Sequence, residues 1–269
     1  MMSHNNGPPR IYIRVNTLRT SKDALEELMN DLGIHFESFP FPRETLRIDT
    51  PPQEIPLPLE HYYAQDFSTQ VIPYLLSPEK GTFVYDAAVA PGGKASHVYQ
   101  ILEGDTLLLG VDRLRSRLRM TRSVFQRLGV ENYFLIQGDS AYLPLRKAPD
   151  FVLVDVPCSG LGTLRRKAEL RWRMSEERIS YLSELQRDML EGVAQNMGVG
   201  GVIVYATCTT EPEENEVQVH NFLRKHREFV LENPLSFVPE KMTKNGFLWV
   251  DGIEWDSDFS FAARMRRVR

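Results

Sequence analysis

The sequence is poor in cysteine. Its 269 residues contain only two, Cys158 and Cys208, and the six histidines show no closely spaced cluster. Two cysteines in separate motifs cannot form the disulfide framework of a small secreted domain, and they lack the partners of a four-ligand zinc site. We therefore predict no metal site and assign no histidine a function.

Long hydrophobic runs are also absent. No apolar stretch approaches the roughly 20 residues that span a bilayer. The first residues, Met-Met-Ser-His-Asn-Asn, lack the charged and apolar regions of a signal peptide. The composition, 42% hydrophobic and 25% charged, is that of a globular protein. We expect a cytoplasmic protein without membrane contact, and nothing in the sequence demands more than a monomer.

Positive charge is not in excess, because 32 Lys and Arg are outnumbered by 36 Asp and Glu, for a net charge of −4. That balance argues against a nucleic-acid partner, whose phosphates are bound by Lys and Arg. The basic residues nevertheless form three clusters. These are Arg113, Arg115, Arg117, Arg119, Arg122 and Arg127; Arg165, Arg166, Lys167, Arg171 and Arg173; and Arg264, Arg266, Arg267 and Arg269. One cluster alone is typical of a solvated face, whereas three together are consistent with a polyanionic partner.

Residues 1–58 are predicted to form a small α+β unit and the connection that follows it. Ile11–Val15 has the composition of a strand, residues 21–32 predict a helix capped by Ser21 and ended by Gly33, and an extended stretch follows. Prolines then occupy positions 40, 42, 51, 52, 56 and 58. We predict that this stretch is too broken for regular structure and leads into a second domain.

Residues 59–269, the second domain, are predicted to have an α/β fold. Short β-rich runs alternate with helical patterns, of which the clearest places Leu118, Phe125 and Leu128 on one face before Gly129. The predicted strands are Thr82–Asp86, Thr106–Asp112, Tyr133–Gln137, Phe151–Asp155 and Val202–Thr207. Strands separated by helices form a parallel sheet, so we expect ligands at the carboxyl ends of the strands.

A glycine turn, Ala90-Pro91-Gly92-Gly93-Lys94, follows the first of these strands. Such a turn lets the backbone approach a ligand and opens a helix N-terminus. It is not a Walker A loop, because the required earlier glycine would fall on Ala88, and it is not a Gly-x-Gly-x-x-Gly motif.

Three carboxylates follow later strands: Asp112, Asp139 and Asp155. Asp112 lies about twenty residues beyond the glycine turn, where a doubly wound fold places the carboxylate that binds ribose hydroxyls. The set suits an adenine nucleoside with an attached positive charge better than a diphosphate. Alternatively, these carboxylates only cap turns. The sequence favours this interpretation more for Asp139 than for Asp112 or Asp155.

Both cysteines also lie at predicted strand ends, Cys158 in Asp155-Val-Pro-Cys-Ser-Gly and Cys208 in Tyr205-Ala-Thr-Cys-Thr-Thr. A nucleophilic thiol is commonly carried at the carboxyl edge of a sheet, where the two would face one site. Burial in a core explains the two thiols equally well at this point, because cysteine is among the residue types most often buried.

Taken in order, these motifs resemble the Sun/Fmu (RsmB-like) family of S-adenosylmethionine-dependent RNA cytosine-5 methyltransferases. The resemblance covers essentially the whole chain. It also includes Thr-Cys-Thr-Thr-Glu-Pro-Glu-Glu-Asn-Glu at residues 207–216 and the ending Asp-Phe-Ser-Phe-Ala-Ala at residues 258–263. Ala88 and Ala95 stand where the family usually has cysteine and threonine, and either departure bears on cofactor affinity.

The resemblance implies a Rossmann-like methyltransferase fold with a mostly parallel sheet and an antiparallel terminal strand, after an N-terminal α+β domain that helps to hold RNA. The implied reaction transfers a methyl group from S-adenosylmethionine to carbon 5 of a cytosine in rRNA or tRNA. In it Cys208 attacks carbon 6, Cys158 assists release of the adduct, Asp155 binds the base edge and Lys94 positions the base. The implied cofactor-binding residues are Ala88, Val89, Ala90, Pro91, Gly92, Gly93 and Lys94 at the methionine part, Asp112 at the ribose, Asp139 near the adenine, and Asp155 and Arg117.

Helix capping explains most of the carboxylates after Cys208, namely Glu211, Glu213, Glu214 and Glu216. Two other functions stay open. One is a nucleotide-binding thiol redox enzyme, against which the wide separation of the cysteines argues. The other is an RNA-binding protein of the same fold without catalysis, against which the retention of both cysteines, Asp155 and Lys94 argues.

Overall fold

The computed structural model describes residues 5–51 and 54–269, so Pro52 of the proline-rich stretch and the first four residues lie outside it. The described strands form a four-stranded antiparallel sheet and a nine-stranded mixed sheet. No helix in these two ranges is both long and apolar enough to cross a membrane.

The four-stranded sheet lies in the N-terminal part of the chain, with one described helix packed on it. The elements are β1 (Ile11–Val15), α1 (Lys22–Asp31), β2 (Phe36–Ser38), β3 (Thr45–Ile48) and β4 (Tyr62–Ala64), and the strand order is β2-β3-β1-β4. Helix α1 begins where the sequence predicts, because the Ser21 hydroxyl accepts a hydrogen bond from the Ala24 amide at 3.1 Å. Its apolar residues Leu25 and Met29 are fully buried against the sheet.

Strands β3 and β4 differ from the prediction. The proline-rich stretch was expected to be irregular, yet its residues 45–48 form β3, which pairs with β1 from Ile11 opposite Ile48 to Arg14 opposite Thr45. This part of the stretch contains no proline, so its amides are free to pair, and the flanking prolines only limit the length of the strand. Strand β4 lies beyond residue 58 but pairs with β1 in the first sheet.

The nine-stranded sheet carries helices on both faces. Its strands are β5 (Thr82–Asp86), β6 (Thr106–Asp112), β7 (Tyr133–Gln137), β8 (Phe151–Asp155), β9 (Val202–Thr207), β10 (Phe229–Leu231), β11 (Thr243–Lys244), β12 (Phe247–Val250) and β13 (Ser260–Arg267). The helices after β4 are α2 (Phe67–Leu76), α3 (Gly93–Ile101), α4 (Arg115–Leu128), α5 (Leu170–Arg173), α6 (Glu176–Gln195) and α7 (Glu216–Lys225). Short 3₁₀ helices lie at Leu161–Thr163, Pro212–Glu214, Pro234–Ser236 and Glu240–Met242. Strands β5 to β9 have the predicted bounds.

The strand order is β11-β12-β13-β9-β8-β5-β6-β7, with β10 paired to β13. Strands β5 to β9 are mutually parallel, and β13 runs antiparallel to β9. The expected Rossmann-like methyltransferase fold, mostly parallel with an antiparallel terminal strand, is confirmed. Strand β5 has β6 on one side and β8 on the other, so the winding reverses there and a crevice opens at the carboxyl ends.

Two apolar layers hold these strand ends in place. Along β5, Val84 packs into the layer that contains α2, α3 and α4, whereas Phe83 and Tyr85 pack into the layer that contains α6 and α7. This alternation is the period of two expected for a strand with both faces covered. Helix α4 follows its prediction as well, with its buried residues on one face and Gly129 in a left-handed conformation at its end.

Candidate active site

A cavity of about 1350 Å³ lies at the carboxyl ends of β5, β6, β8 and β9. Most of the residues predicted to form a site lie in its wall. These are Ala88, Val89, Ala90, Pro91, Gly93, Lys94, Asp112, Arg117, Asp139, Asp155, Cys158 and Cys208. Pockets for one small molecule usually have roughly 300–1,000 Å³. The cavity is therefore large enough for two ligands side by side.

Gly92, in contrast, does not line the cavity. It precedes α3 with φ at 103°, and a Cβ atom there would lie 2.8 Å from the Phe125 ring and 3.0 Å from the Thr121 methyl group. The glycine lets the turn pack tightly against α4. Its observed role is thus to shape the turn, and its expected place at the cofactor stays a prediction.

The two thiols meet in this cavity. Cys158 follows β8, Cys208 follows β9, and because these strands are adjacent and parallel their sulfur atoms lie 3.3 Å apart. The Cys208 amide also donates to Cys158 Sγ at 3.4 Å. Both cysteines are free and half-buried, so neither is a packing residue deep in the core.

The two thiols have pKa values shifted in opposite directions. The hydrogen bond from the Cys158 thiol lowers the pKa of Cys208, and the positive charges of Lys94 and Lys167 act in the same direction, against burial and Asp155. The same hydrogen bond raises the pKa of Cys158 well above its usual range, and burial adds to the rise. Cys208 is therefore the more acidic thiol of the pair, and Cys158 the less acidic one.

An ion pair lies beside the thiols. Lys94 Nζ, at the beginning of α3, donates to Asp155 Oδ2 at the end of β8 over 2.7 Å. Burial lowers the pKa of Lys94, but the charge and hydrogen bond of Asp155 outweigh it, and the net shift is upward. Lys94 is thus an ammonium group that pairs with Asp155 and favours the anionic form of Cys208.

Asp112 and Arg117 form the wall on the side of β6. Asp112 Oδ1 accepts from the Leu114 amide at 2.8 Å, and its Oδ2 lies 3.4 Å from Arg117 Nη1. Arg117 Nη2 also donates to the Ala90 carbonyl at 2.7 Å. Arg117 therefore connects the glycine turn to the buried carboxylate, and is more than an exposed helix arginine.

Asp139 follows β7 on the same side of the cavity. Its Oδ1 accepts from the Ala141 amide at 3.1 Å, as in an Asx turn, and its Oδ2 lies 3.6 Å from Arg113 Nε. The turn-capping alternative thus describes part of its environment, although the residue also lines the cavity.

Asp86, the last residue of β5, was not singled out from the sequence. It lines the cavity, is buried, and accepts from the Ala88 amide at 3.1 Å. Burial and the charge of Asp155 raise the pKa of Asp86 to about 7. A strand that ends on an aspartate directly before a glycine turn was the available sequence signal.

Glu214 does not have the helix-capping role that its position in the sequence predicts. Its side chain is fully buried, and Oε1 accepts from the Ser159 amide at 2.9 Å and from Gln186 Nε2 at 2.7 Å. Helix capping does not describe these contacts. Glu214 holds the loop that carries Cys158 to the segment that follows Cys208, and only the folded chain brings the two together.

The second basic cluster has two kinds of residue. Arg165 pairs with Asp256, and Arg166 pairs with Asp66 and Asp258, so these arginines join separate parts of the chain. Lys167 lines the cavity and makes no ion pair with any described residue. In the described ranges, no group of three or more His, Cys, Asp or Glu residues is arranged to hold a metal ion.

Comparison with known proteins identifies relatives for both parts of the chain. A family model described as 16S rRNA methyltransferase RsmB/F matches residues 73–248, and a model of the ferredoxin-like domain of RsmF/B-like methyltransferases matches residues 1–54. The first of these spans the glycine turn and both cysteine motifs.

Curated proteins similar to this chain are also rRNA methyltransferases. A probable ribosomal RNA small subunit methyltransferase B of Synechocystis sp. is 32% identical over 237 residues, which are 85% of this chain and 53% of the relative. Ribosomal RNA small subunit methyltransferase B of Yersinia pseudotuberculosis is 33% identical over 240 residues, 85% of this chain and 54% of the relative. The chain thus spans about half the length of these relatives.

Solved structures have the same fold. A methyltransferase homologue from Pyrococcus horikoshii superposes with a TM-score of 0.84 at 29% identity, covering 99% of this chain and 89% of the homologue. NSun6 from Pyrococcus horikoshii, crystallised with SFG, superposes with a TM-score of 0.88 at 23% identity, covering 100% of this chain and 93% of NSun6. Because the RsmB/F model matches well over half of the sequence, including the motifs that line the cavity, the chain belongs to the RsmB/F family of 16S rRNA methyltransferases.

Proposed function

We propose that this protein is an S-adenosylmethionine-dependent RNA cytosine-5 methyltransferase that modifies rRNA or tRNA through a covalent adduct. The observation that carries the proposal is the pair of thiols 3.3 Å apart, beside the Lys94–Asp155 ion pair, in a cavity large enough for a cofactor and a nucleoside. Two thiols are not needed to bind RNA. A thiolate next to a protonated thiol is what covalent catalysis at a pyrimidine needs.

The residues on the β5–β6 side of the cavity fit the cofactor. Asp112 retains acceptor capacity on Oδ2, whose contact with Arg117 is long at 3.4 Å, and can bind ribose hydroxyls. The first turn of α3 presents backbone amides to the cavity, which suits the carboxylate of the methionine part. The carboxylates of Asp86 and Asp155 suit its positive charge. When bound, the cofactor supplies the methyl group that carbon 5 of the cytosine receives.

Cys208 starts the reaction in this proposal. Carbon 5 of cytosine is a poor nucleophile, so the Cys208 thiolate first forms a bond to carbon 6, and the electrons of the 5,6 double bond move onto the rest of the ring. Asp155 accepts a hydrogen bond from the exocyclic amine of the base, and Lys94 holds Asp155 in place while charge develops on the ring.

Cys158 acts at the end of the reaction. After methylation the proton of carbon 5 passes to solvent and the electrons of the carbon–hydrogen bond restore the 5,6 double bond. The bond between carbon 6 and Cys208 breaks, and its electrons return to the sulfur. The Cys158 thiol then donates its hydrogen bond to the departing sulfur and restores the original pair. The hydrogen bond that raises the pKa of Cys158 in the free enzyme thus stabilises Cys208 as a leaving group.

The decisive experiment uses the Cys158→Ala variant, incubated with S-adenosylmethionine and a pool of rRNA and tRNA and then denatured strongly. We expect RNA to stay covalently attached, because release is slowed while attack by Cys208 is retained. Sequencing of the attached RNA gives the target cytosine. The wild type should transfer methyl groups without accumulating adduct.

The double variant Cys158→Ala/Cys208→Ala is the matched control and should attach no RNA. Persistent attachment in the double variant would assign the nucleophile to another residue. If no adduct forms and the wild type transfers no methyl group to the same pool, the catalytic proposal fails for those RNAs and an RNA-binding role replaces it.

A further inference from the structure

The side chain of Trp172 is unusually exposed. It is 78% accessible, whereas Trp249 packs edge-on against Phe259 and Trp255 stacks on Phe67. Within the described part of the chain, no aromatic ring contacts Trp172. Tryptophan side chains are usually largely buried, so an exposed indole is uncommon. Tryptophan is enriched at surfaces that bind a partner.

Trp172 is close in sequence to residues that line the active-site cavity. It belongs to the short helix α5, whose first residue, Leu170, lines the cavity together with Lys167. The Leu170 side chain packs over Gly160, two residues after Cys158, where a Cβ atom would lie only 3.1 Å from Leu170 Cδ1. The position of the indole is therefore tied to the loop that carries one of the thiols.

The surroundings of the indole are basic. Arg171 and Arg173 flank it and are exposed, as is Lys167. Arg171 donates to the Asn5 carbonyl at 2.8 Å, and neither it nor Arg173 forms an ion pair with a described residue. Their positive charges are available to a partner, and they favour one that carries a regular series of negative charges, such as a nucleic-acid backbone.

We propose that Trp172 is a stacking platform for an unpaired nucleotide next to the target cytosine, with Arg173 and Lys167 at the adjoining phosphates. This inference rests on the proposed function for the identity of the partner as RNA. A cytosine that enters the cavity must leave its stack, and its neighbour then loses one face of stacking. The exposed indole replaces that face, as aromatic side chains do in proteins that bind single strands.

Fluorescence anisotropy with a short, fluorescein-labelled oligocytidylate tests the platform without any chemistry. We expect Trp172→Ala to weaken binding roughly tenfold, equivalent to about 1.4 kcal/mol. Trp172→Phe should recover most of the loss because it keeps a ring that can stack. Phe134→Ala is the matched control, since Phe134 is an exposed ring (63%) on the edge strand β7 and does not line the cavity. Unchanged affinity in Trp172→Ala would overturn the proposal.

Two further readouts separate stacking from a general loss of structure. Trp172 is exposed, so the melting temperature of Trp172→Ala should equal that of the wild type. Arg173→Gln should reduce the slope of log K against log salt by about 0.7, the value for one phosphate of a single strand. An unaltered slope would remove Arg173 from the proposed contact.

The platform and the methyltransferase activity can fail independently. If Trp172→Ala weakens oligocytidylate binding but Cys158→Ala forms no adduct and the wild type transfers no methyl group, the platform stands and the catalytic proposal falls. If methyl transfer occurs, Trp172→Ala should raise KM for RNA about tenfold, with KM for S-adenosylmethionine and kcat unchanged. A loss confined to kcat would contradict a platform and indicate a catalytic role.

Discussion

Cys158 and Cys208 are the same residue type, yet the site shifts their pKa values in opposite directions. The asymmetry comes from their neighbours, since Lys94 and Lys167 favour the anion on Cys208 and the Cys158 thiol donates toward it. The Cys208 amide donates to Cys158 Sγ and works against this asymmetry, but it is weaker than the effect of the neighbouring thiol. These neighbours make Cys208 the more acidic of the two thiols, which favours it as the nucleophile in the proposed reaction.

The Lys94→Met variant tests this assignment. Loss of the ammonium group removes one cause of the low pKa of Cys208 and leaves Asp155 uncompensated, so the pKa of Cys208 should rise. The thiolate fraction at pH 7 then falls, and we expect alkylation of Cys208 by iodoacetamide to slow about tenfold, which corresponds to about one pKa unit. Peptide mass spectrometry across a pH series measures the rate at each cysteine.

The double variant Lys94→Met/Asp155→Asn serves as the control, because it also removes the negative charge that opposes the thiolate. Its alkylation rate should lie between those of the wild type and Lys94→Met. If the pH profile of Cys208 is the same in all three proteins, the ion pair does not act on the nucleophile.

At the scale of elements, the short 3₁₀ helix Pro212–Glu214 positions both thiol loops. Glu214 accepts hydrogen bonds from the Ser159 amide and the Gln186 side chain. The Tyr205 hydroxyl, from β9, donates to the Glu214 carbonyl at 2.6 Å. The helix thus joins the segments after β8 and β9 to α6, and it supports the loop that carries Cys158.

Glu214→Ala should therefore lower stability and activity together. The substitution leaves the buried Ser159 amide without its acceptor and removes one of the two acceptors of Gln186 Nε2, which keeps the Pro157 carbonyl. An unpaired buried donor costs about 1–3 kcal/mol. We expect a loss of about 2–3 kcal/mol in urea denaturation, with a fall in methyl transfer as the Cys158 loop shifts. Glu214→Gln, which keeps an acceptor oxygen, should recover most of the stability.

Glu213→Ala is the matched control for Glu214, because Glu213 lies in the same short helix but is exposed. Its stability should stay within about 0.5 kcal/mol of the wild type. Equal losses in Glu213→Ala and Glu214→Ala would show that helix formation, and not the buried contacts, accounts for the effect.

The elements that the sequence predicts well are those with strong local patterns. Strands β5 to β9 are continuous apolar runs, and α4 has a clear apolar face ended by a glycine, so periodicity is sufficient for them. Strand β3 is only four residues long and lies among prolines, and β4 has three residues. Their pairing with β1 supplies the stability that their local sequence lacks, and such long-range pairing leaves little trace in composition.

The site shows the same division. The glycine turn, Asp112, Asp155 and both cysteines follow strands directly, and parallel strands bring their carboxyl ends to one edge, so their meeting could be predicted. Glu214 could not, because its partners come from a different loop and a different helix. Its carboxylate looks the same in the sequence as the exposed one of Glu213.

At the scale of the whole molecule, a buried arginine connects the two sheets. Arg14 in β1 is fully buried, and its guanidinium donates to Gln65 Oε1 at 2.6 Å, to the Gly93 carbonyl at 2.7 Å and to Ser96 Oγ at 2.9 Å. Burial lowers the pKa of Arg14 to about 9. The N-terminal sheet is thereby attached to the first turn of α3, where Gly93 and Lys94 line the cavity.

Arg14→Met should separate these two parts of the molecule. The methionine fills part of the volume but removes three hydrogen bonds from a charged group, each contributing about 1.5–3 kcal/mol. Gln65 Oε1 loses its donor, whereas the Gly93 carbonyl keeps the Ser96 hydroxyl. We expect a loss of at least about 3 kcal/mol in urea denaturation and faster hydrogen exchange at the α3 amides. Affinity for S-adenosylmethionine, measured by calorimetry, should fall because the first turn of α3 loses its support.

Arg47→Met is the matched control, since Arg47 in β3 pairs with the exposed Glu37 and should contribute less than about 1 kcal/mol. If the two variants unfold at the same urea concentration, the N-terminal sheet does not stabilise the cavity through Arg14, and its attachment must rest on the apolar contacts between the sheets.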